Sequence, residues 1–268
     1  PRIGPDMHPG STSTTIDTAW ALARDAASRA GVEVRELKGD DVALAQVVVG
    51  EVWGPQQIPQ TNLLRAFAHA GSTLLAALVD GRPVGMTLGF AGWAGGMHLH
   101  SHMTAVVPSH LSSGVGYALK LTQRAVCLRE GINEVRWTFD PLVARNARFN
   151  LVKLGAVVMA LYPNFYGEMD DIVNAGEDSD RFEVSWQLES PRVLLALAEQ
   201  PQPPADVVRS HAIPRDYTML SRTDSAAAQA ARAAAREAVM QAQREGLGVE
   251  WDDGAYRFTR RRSGDADA

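Results

Sequence analysis

The chain has 268 residues, 46% of them hydrophobic and 21% charged. That composition suits one large domain, or a domain with an appendage, and excludes disorder of the whole chain. Lys and Arg number 26 against 31 Asp and Glu, a formal net charge of −5, so nucleic acid is not an expected partner. No run of 18 apolar residues occurs, which argues against a membrane span. The single cysteine, Cys127, excludes an internal disulfide framework and a cysteine-rich zinc site. The opening PRIGPDMHPGSTSTT has no charged region followed by an apolar one, so it does not read as a secretory leader. With one cysteine, the expectation is a cytoplasmic protein.

Residues 1–14 are rich in Pro, Gly, Ser and Thr and are expected to be mobile. Asp17 opens an amphipathic helix that Gly31 closes. VEVREL alternates as a strand. Asp40 and Asp41 start a second helix ending near Trp53, and Thr61 caps a third. STLLAALV and VGMTLGFAG flank Asp80-Gly81, the signature of a tight hairpin. MHLHSHMTAVV is a long strand that Pro108 ends. A Ser/Gly loop follows, then a helix closed by Gly131. EVRWTF, a short helix ARNARFNLVKLG, AVVMALY and FEVSWQLE complete a β-α-β-α-β order. Beyond it lie a short apolar helix, the link QPQPP, an Ala-rich helix over 224–245 and a hairpin around Asp253-Gly254. The tail Ser263–Ala268 is expected to fray.

The stretch AVVPSHLSSGVGYALKL carries the chemistry. Ser112, Ser113, Gly114, Val115 and Gly116 lead into a helix. Glycines at 114 and 116 let backbone N–H groups face an incoming anion, and the helix start adds partial positive charge. An ordinary glycine-tolerant turn has the same sequence. A Rossmann site would need this element in its first βαβ unit with an acidic residue closing the next strand at the proper distance, and a P-loop needs Gly-Lys-Ser/Thr.

Here the chain resembles the GNAT superfamily of acyl-CoA-dependent N-acyltransferases. These carry a V-x-P strand end and then Arg/Gln-x-x-Gly-x-Gly/Ala opening the next helix. The matching residues are Val106-Val107-Pro108, then Leu111, Gly114 and Gly116, with Ala118 behind. A second match, RNARFNLVKLGA, is similar to the family's Asn-x-x-Ala helix ending Lys-x-Gly. The resemblance spans roughly residues 32–189 and looks closest to longer GNAT-like proteins with an HSH-containing strand, an RWTFDP strand end and a PNxYG loop. Two positions depart from the pattern. Leu111 stands where a basic residue is usual, and Leu151 where a tyrosine often protonates the leaving thiolate, with Lys153 the matching lysine.

The resemblance implies an α+β fold with a mixed central sheet, antiparallel in its first half and parallel in its second, flanked by helices. It divides the chain into a flexible segment (1–15), an acyltransferase domain (16–190) and a helical and hairpin appendage (191–268). It implies an acyl-CoA co-substrate, acetyl-CoA by default with succinyl-CoA as the alternative. It implies no metal, a small amine or amino acid as acceptor, and direct transfer; homodimers are common among such proteins. The arm of the co-substrate would lie along Thr104, Ala105, Val106 and Val107. Its pyrophosphate would meet Ser112, Ser113, Gly114, Val115, Gly116, Tyr117 and Ala118, with Asn146 and Phe149 nearby.

Such a transfer needs a base for the ammonium and a proton for the leaving sulfur. His98, His100 and His102 alternate and share one strand face; His100 and His102 lie nearest the inferred thioester. Three imidazoles on one face also raise a zinc site, although spacing by two on one strand makes them diverge. Tyr162 and Tyr166 are the candidate acids. Asp140 would orient a histidine, bind the amine or cap the helix after Pro141. Two other readings stay open: a non-catalytic binder of CoA thioesters, and a metal-dependent hydrolase.

Overall fold

A computed structural model describes residues 11–167 and 178–260. Most of the opening segment, the Ser263–Ala268 tail, and Arg261 and Arg262 beside Arg260 lie outside the described residues. The rest is an α+β chain in which Val135 and Arg136 mark the division between two compact units.

The first unit begins with α1 (Ser13–Ala30), one turn earlier than Asp17 implied. Thr12 caps it, accepting from the Thr15 N–H, and Gly31 closes it at φ 65°. Strand β1 (Glu33–Glu36) and a short 3₁₀ turn precede α2 (Ala43–Trp53) and α3 (Thr61–His69). Gln60, not Thr61, is the N-cap of α3. The Thr61 hydroxyl instead faces the Gln46 amide at 3.1 Å. Strands β2 (Thr73–Val79) and β3 (Arg82–Gly92) form the expected hairpin. Asp80 and Gly81 have φ of 49° and 77°, the doubly left-handed turn that matches strand twist. Strand β4 (His98–Val106) pairs antiparallel with β3 and leads to α4 (Val115–Arg129).

Helices cover both faces of β2, β3 and β4: α4 with α1 behind it on one side, α2 on the other. Gly85 and Gly89 of β3 let α4 come close. A Cβ at Gly85 would stand 2.8 Å from Val115 Cγ1, and one at Gly89 3.0 Å from Gln123 Nε2. The opposite face packs Val42, Val48, Val49, Leu64, Met86 and Leu88 into an apolar core. Each such side chain contributes roughly 1.5–3 kcal/mol on burial.

The second unit holds the larger part of β5 (Glu134–Phe139), then α5 (Ala144–Ala147), which continues as a π-helix over Arg148–Lys153, β6 (Val157–Tyr162) and β7 (Arg181–Gln187). The strand order is β5-β7-β6. The β-α-β-α-β sequence therefore does not place β5 beside β6: β7 inserts between them and runs antiparallel to β6. Helix α6 (Pro191–Leu197) starts at Ser190 and Pro191. Strand β8 (Val207–Ala212), not expected after the Pro-rich link, pairs with β10 (Ala255–Arg260). Helices α7 (Tyr217–Thr223) and α8 (Ser225–Arg244) and strand β9 (Leu247–Asp252) complete the unit. The β9–β10 hairpin turns at Asp253 and Gly254, φ 40° and 82°. Among the described residues no helix is long and apolar enough to cross a membrane.

Candidate functional site

The segment between β4 and α4 has a defined backbone. Val107 donates its N–H to Val84 O at 3.0 Å, the last hydrogen bond holding the chain to β3. Pro108–His110 make a 3₁₀ turn. Leu111 is extended, Ser112 is left-handed at φ 64° and Gly114 left-handed at φ 97°. Gly114 is the N-cap of α4 and supplies no side-chain cap. The first-turn N–H groups of a helix have no acceptor within it. Such groups beside left-handed residues are an arrangement that favours an anion. A Cβ at Gly116 would meet nothing nearer than Val106 Cγ2 at 3.7 Å, so no steric demand of the fold explains that glycine. Ser113 turns its hydroxyl back to His110 O at 2.7 Å. Leu111 is 45% exposed.

The strand upstream is bulged. Leu88 pairs with Met103 and Gly89 with Ser101, so His102 is the extra residue. Thr87 anchors the strand just beyond, donating to Met103 O at 3.0 Å and facing Thr104 Oγ1 at 2.9 Å. His100 and His102 stand together over Phe90, with ring centroids 5.3 and 5.7 Å from the phenyl ring and 6.1 Å from each other. Phe67 of α3 stacks on Phe90 at 5.4 Å. Part of the His102 ring stays open to solvent. The surrounding protein still disfavours the imidazolium, and burial lowers its pKa below the ordinary value. His98 is different: it is buried and its Nδ1 bonds Gly96 O at 2.9 Å. Among the described residues no group of three His, Cys, Asp or Glu side chains could hold a metal ion. Of the residues expected from the sequence along the co-substrate arm, Ala105 and Val107 are buried and Thr104 is exposed.

Helix α4 carries a group that its sequence conceals. Lys120 is buried, donating to Ser101 Oγ at 3.0 Å and Gln123 Oε1 at 2.9 Å. Burial lowers its pKa to about 7. Burial also pushes the Cys127 thiol up to about 12, which removes it as a nucleophile.

The remaining candidates belong to the second unit. Asp140 is held on all sides: Oδ1 accepts from the Leu142 N–H at 2.8 Å, Oδ2 from Arg232 at 2.9 Å, and Arg181 lies 3.6 Å away. That carboxylate caps the turn after β5 and balances two buried guanidiniums, work unlike that of a proton carrier. Tyr162 donates to Glu183 Oε2 at 3.1 Å, and Tyr166 meets Thr138 Oγ1 at 3.1 Å. Burial and the Glu183 charge raise the Tyr162 pKa. Both tyrosines are partly exposed, with Phe165 between them. Asn146 and Phe149 lie on α5 and the start of its π-helical continuation, half-buried. Leu151 is buried core and has no ionisable group to offer.

No protein-family model matches the chain, and no curated protein matches it in sequence. Solved structures resemble it. An acetyltransferase of the GNAT family from Streptococcus pneumoniae has TM-score 0.48 at 12% identity, over 57% of this chain and 98% of that one. An N-acetyltransferase from Staphylococcus aureus has TM-score 0.47 at 13% identity, over 59% and 99%. An IAA acetyltransferase from Bacillus cereus has TM-score 0.46 at 12% identity, over 58% and 99%.

Proposed function

We propose that the protein is a GNAT-type N-acyltransferase that takes its acyl group from an acyl-CoA. The observation that carries this reading is the β4–α4 junction. There the chain leaves β3 after Val107, passes two left-handed residues and opens α4 without a side-chain cap. That backbone suits a pyrophosphate, and VVP with Gly114 and Gly116 is the sequence that resembles the superfamily's own element.

In the proposed reaction a neutral amine attacks the thioester carbonyl carbon. The C–N bond forms, the C–S bond breaks, the amine proton leaves to a base, and the thiolate takes a proton from an acid or from water. His102 suits the base: its lowered pKa keeps it neutral near pH 7, ready to take a proton from an ammonium. His100 stands beside it and completes the polar side of the cluster. The aromatic pair Phe67 and Phe90 forms the apolar side, which favours a small amine or amino acid with an apolar portion. Acetyl is the default acyl group and succinyl the alternative. Tyr162 and Tyr166 are the candidate proton donors to sulfur, each partly exposed. A homodimer in the cytoplasm is the accompanying expectation.

Titration of the full chain with acetyl-CoA, succinyl-CoA and CoA by calorimetry tests the proposal. Saturable binding, followed by turnover on an amine panel, is the expected result. Absence of binding at millimolar acyl-CoA refutes it. One observation favours a second reading, a CoA-thioester binder without turnover: buried Leu151 fills the place of the usual acid. Tight acyl-CoA binding with no product from any amine would select that reading.

A further inference from the structure

The second unit contains a groove of about 870 Å³ between the helix at 144–153 and the three-stranded sheet β8-β10-β9. Arg145, Arg148 and Arg215 line it together with Val152, Ile213 and Trp251, and Asp252 and Asp253 stand at the β9–β10 turn. Elsewhere in this unit arginines hold carboxylates: Arg232 takes Asp140, Arg192 takes Glu250 and Arg236 takes Asp180. Arg145, Arg148 and Arg215 are exposed and take part in none of the ion pairs among the described residues. Of the two acids at the groove, Asp252 is already engaged by Arg257 at 3.2 Å. Three guanidiniums thus face one cavity with a single uncommitted carboxylate against them. Like charges gathered around one concavity repel until an anion enters.

We propose that this groove binds a phosphorylated small molecule, at a site built from residues other than those of the β4–α4 junction. Guanidinium forks match phosphate oxygens two at a time, and three of them suit a di- or triphosphate. The volume falls in the range of small-molecule sites, roughly 300–1,000 Å³. Val152, Ile213 and Trp251 supply apolar contact for the body of the ligand, and Asp253 can accept from a hydroxyl or amino group on it. The mixture of a cationic side, an apolar patch and one acceptor favours a nucleotide-like ligand over a bare inorganic ion.

The test is calorimetry on the full chain without divalent metal, using inorganic tripolyphosphate, ADP and adenosine as probes. Saturable binding of tripolyphosphate and tighter binding of ADP are expected, with none for adenosine alone. Arg148→Gln should weaken ADP about tenfold, and the double variant Arg145→Gln/Arg148→Gln about a hundredfold, if each guanidinium contributes one charge-assisted phosphate contact. Both side chains are exposed, so thermal unfolding should be unchanged, and acyl-CoA affinity should be unchanged as well. No saturable heat at millimolar probe overturns the proposal. So does equal ADP affinity in the double variant. A loss of acyl-CoA affinity parallel to that for ADP also overturns it, because the groove would then belong to the co-substrate. Failure of acyl-CoA binding in the wild-type chain leaves this site standing.

Discussion

The glycines at the head of α4 separate ligand recognition from folding in one experiment. Gly116 does not have a left-handed φ, and a Cβ there would rest 3.7 Å from Val106 Cγ2, an ordinary contact. Gly116→Ala therefore costs the fold nothing, and alanine's better helix propensity stabilises by up to about 1 kcal/mol. For a protein of this size that raises Tm by about 2–4 °C at most. On the proposed pyrophosphate assignment, the same methyl group would crowd the approach of a phosphate to the first-turn N–H groups. Displacing the anion weakens charge-assisted hydrogen bonds of about 1.5–3 kcal/mol each, so acyl-CoA affinity should fall at least about tenfold. Gly114→Ala is the control with the opposite signature. At φ 97° an alanine is strained by about 1–2 kcal/mol, and Tm should drop by several degrees. Calorimetric titration with acetyl-CoA and thermal denaturation of both variants supply the two readouts. Unchanged acyl-CoA affinity in a fully folded Gly116→Ala protein would refute the assignment of this loop to the pyrophosphate.

Three further outcomes follow from the ionisable groups. If His102 is the base, the acid limb of kcat/KM should lie below about 6.5, because burial lowers the His102 pKa; activity rises with pH through that limb, and His102→Gln abolishes it. Lys120 has its folded pKa lowered to about 7 against about 10.4 when unfolded. Between those values the unfolded chain carries the extra proton, so stability rises with pH, by up to an order of 4 kcal/mol. Urea titrations from pH 7 to 10 should show that slope, and Lys120→Met should flatten it. Asp140→Asn removes the partner of two largely buried arginines and should cost about 3 kcal/mol in chemical denaturation, with acyl-CoA affinity unchanged.

Local chemistry was legible wherever a short segment decides its own shape. Both Asp-Gly hairpins could be read because two consecutive left-handed positions have few sequence solutions. The GVG helix start was likewise visible; of the three alternating histidines, the ring contacts join His100 and His102 over Phe90, while His98 is buried against Gly96 O. Features set by distant contacts were hidden. Thr12 looked like part of a mobile Ser/Thr run, yet it caps α1. VVRSHA followed a Pro-rich link and gave no sign of being a strand until β10 paired with it. Lys120, Gln123 and Arg124 of α4 are buried, and no local pattern of the helix sequence marks polar residues as interior. The bulge at His102 leaves the alternating pattern intact, so only the register with β3 discloses it. Asp140 and Arg232 are 92 residues apart, and no local pattern connects them.

The leucine at 111 has a consequence that can be measured by reversing it. With a basic side chain missing there, the proposed pyrophosphate site holds its anion by backbone dipoles alone, and dipoles release few counterions on binding. Acyl-CoA affinity should therefore depend only weakly on salt. Leu111 is 45% exposed, so Leu111→Arg removes little from the core and places a guanidinium beside the helix start. An exposed ion pair with a phosphate is worth about 0.2–1 kcal/mol, which predicts affinity up to about fivefold higher at low ionic strength. The gain should shrink as the Debye length falls from about 10 Å at 0.1 M toward about 3 Å at 1 M. Titration of wild type and Leu111→Arg with acetyl-CoA across that salt range distinguishes the cases. A variant that binds no tighter at low salt would mean that the anion does not sit at this turn. Equal salt sensitivity in the two proteins would mean that another cation already neutralises it.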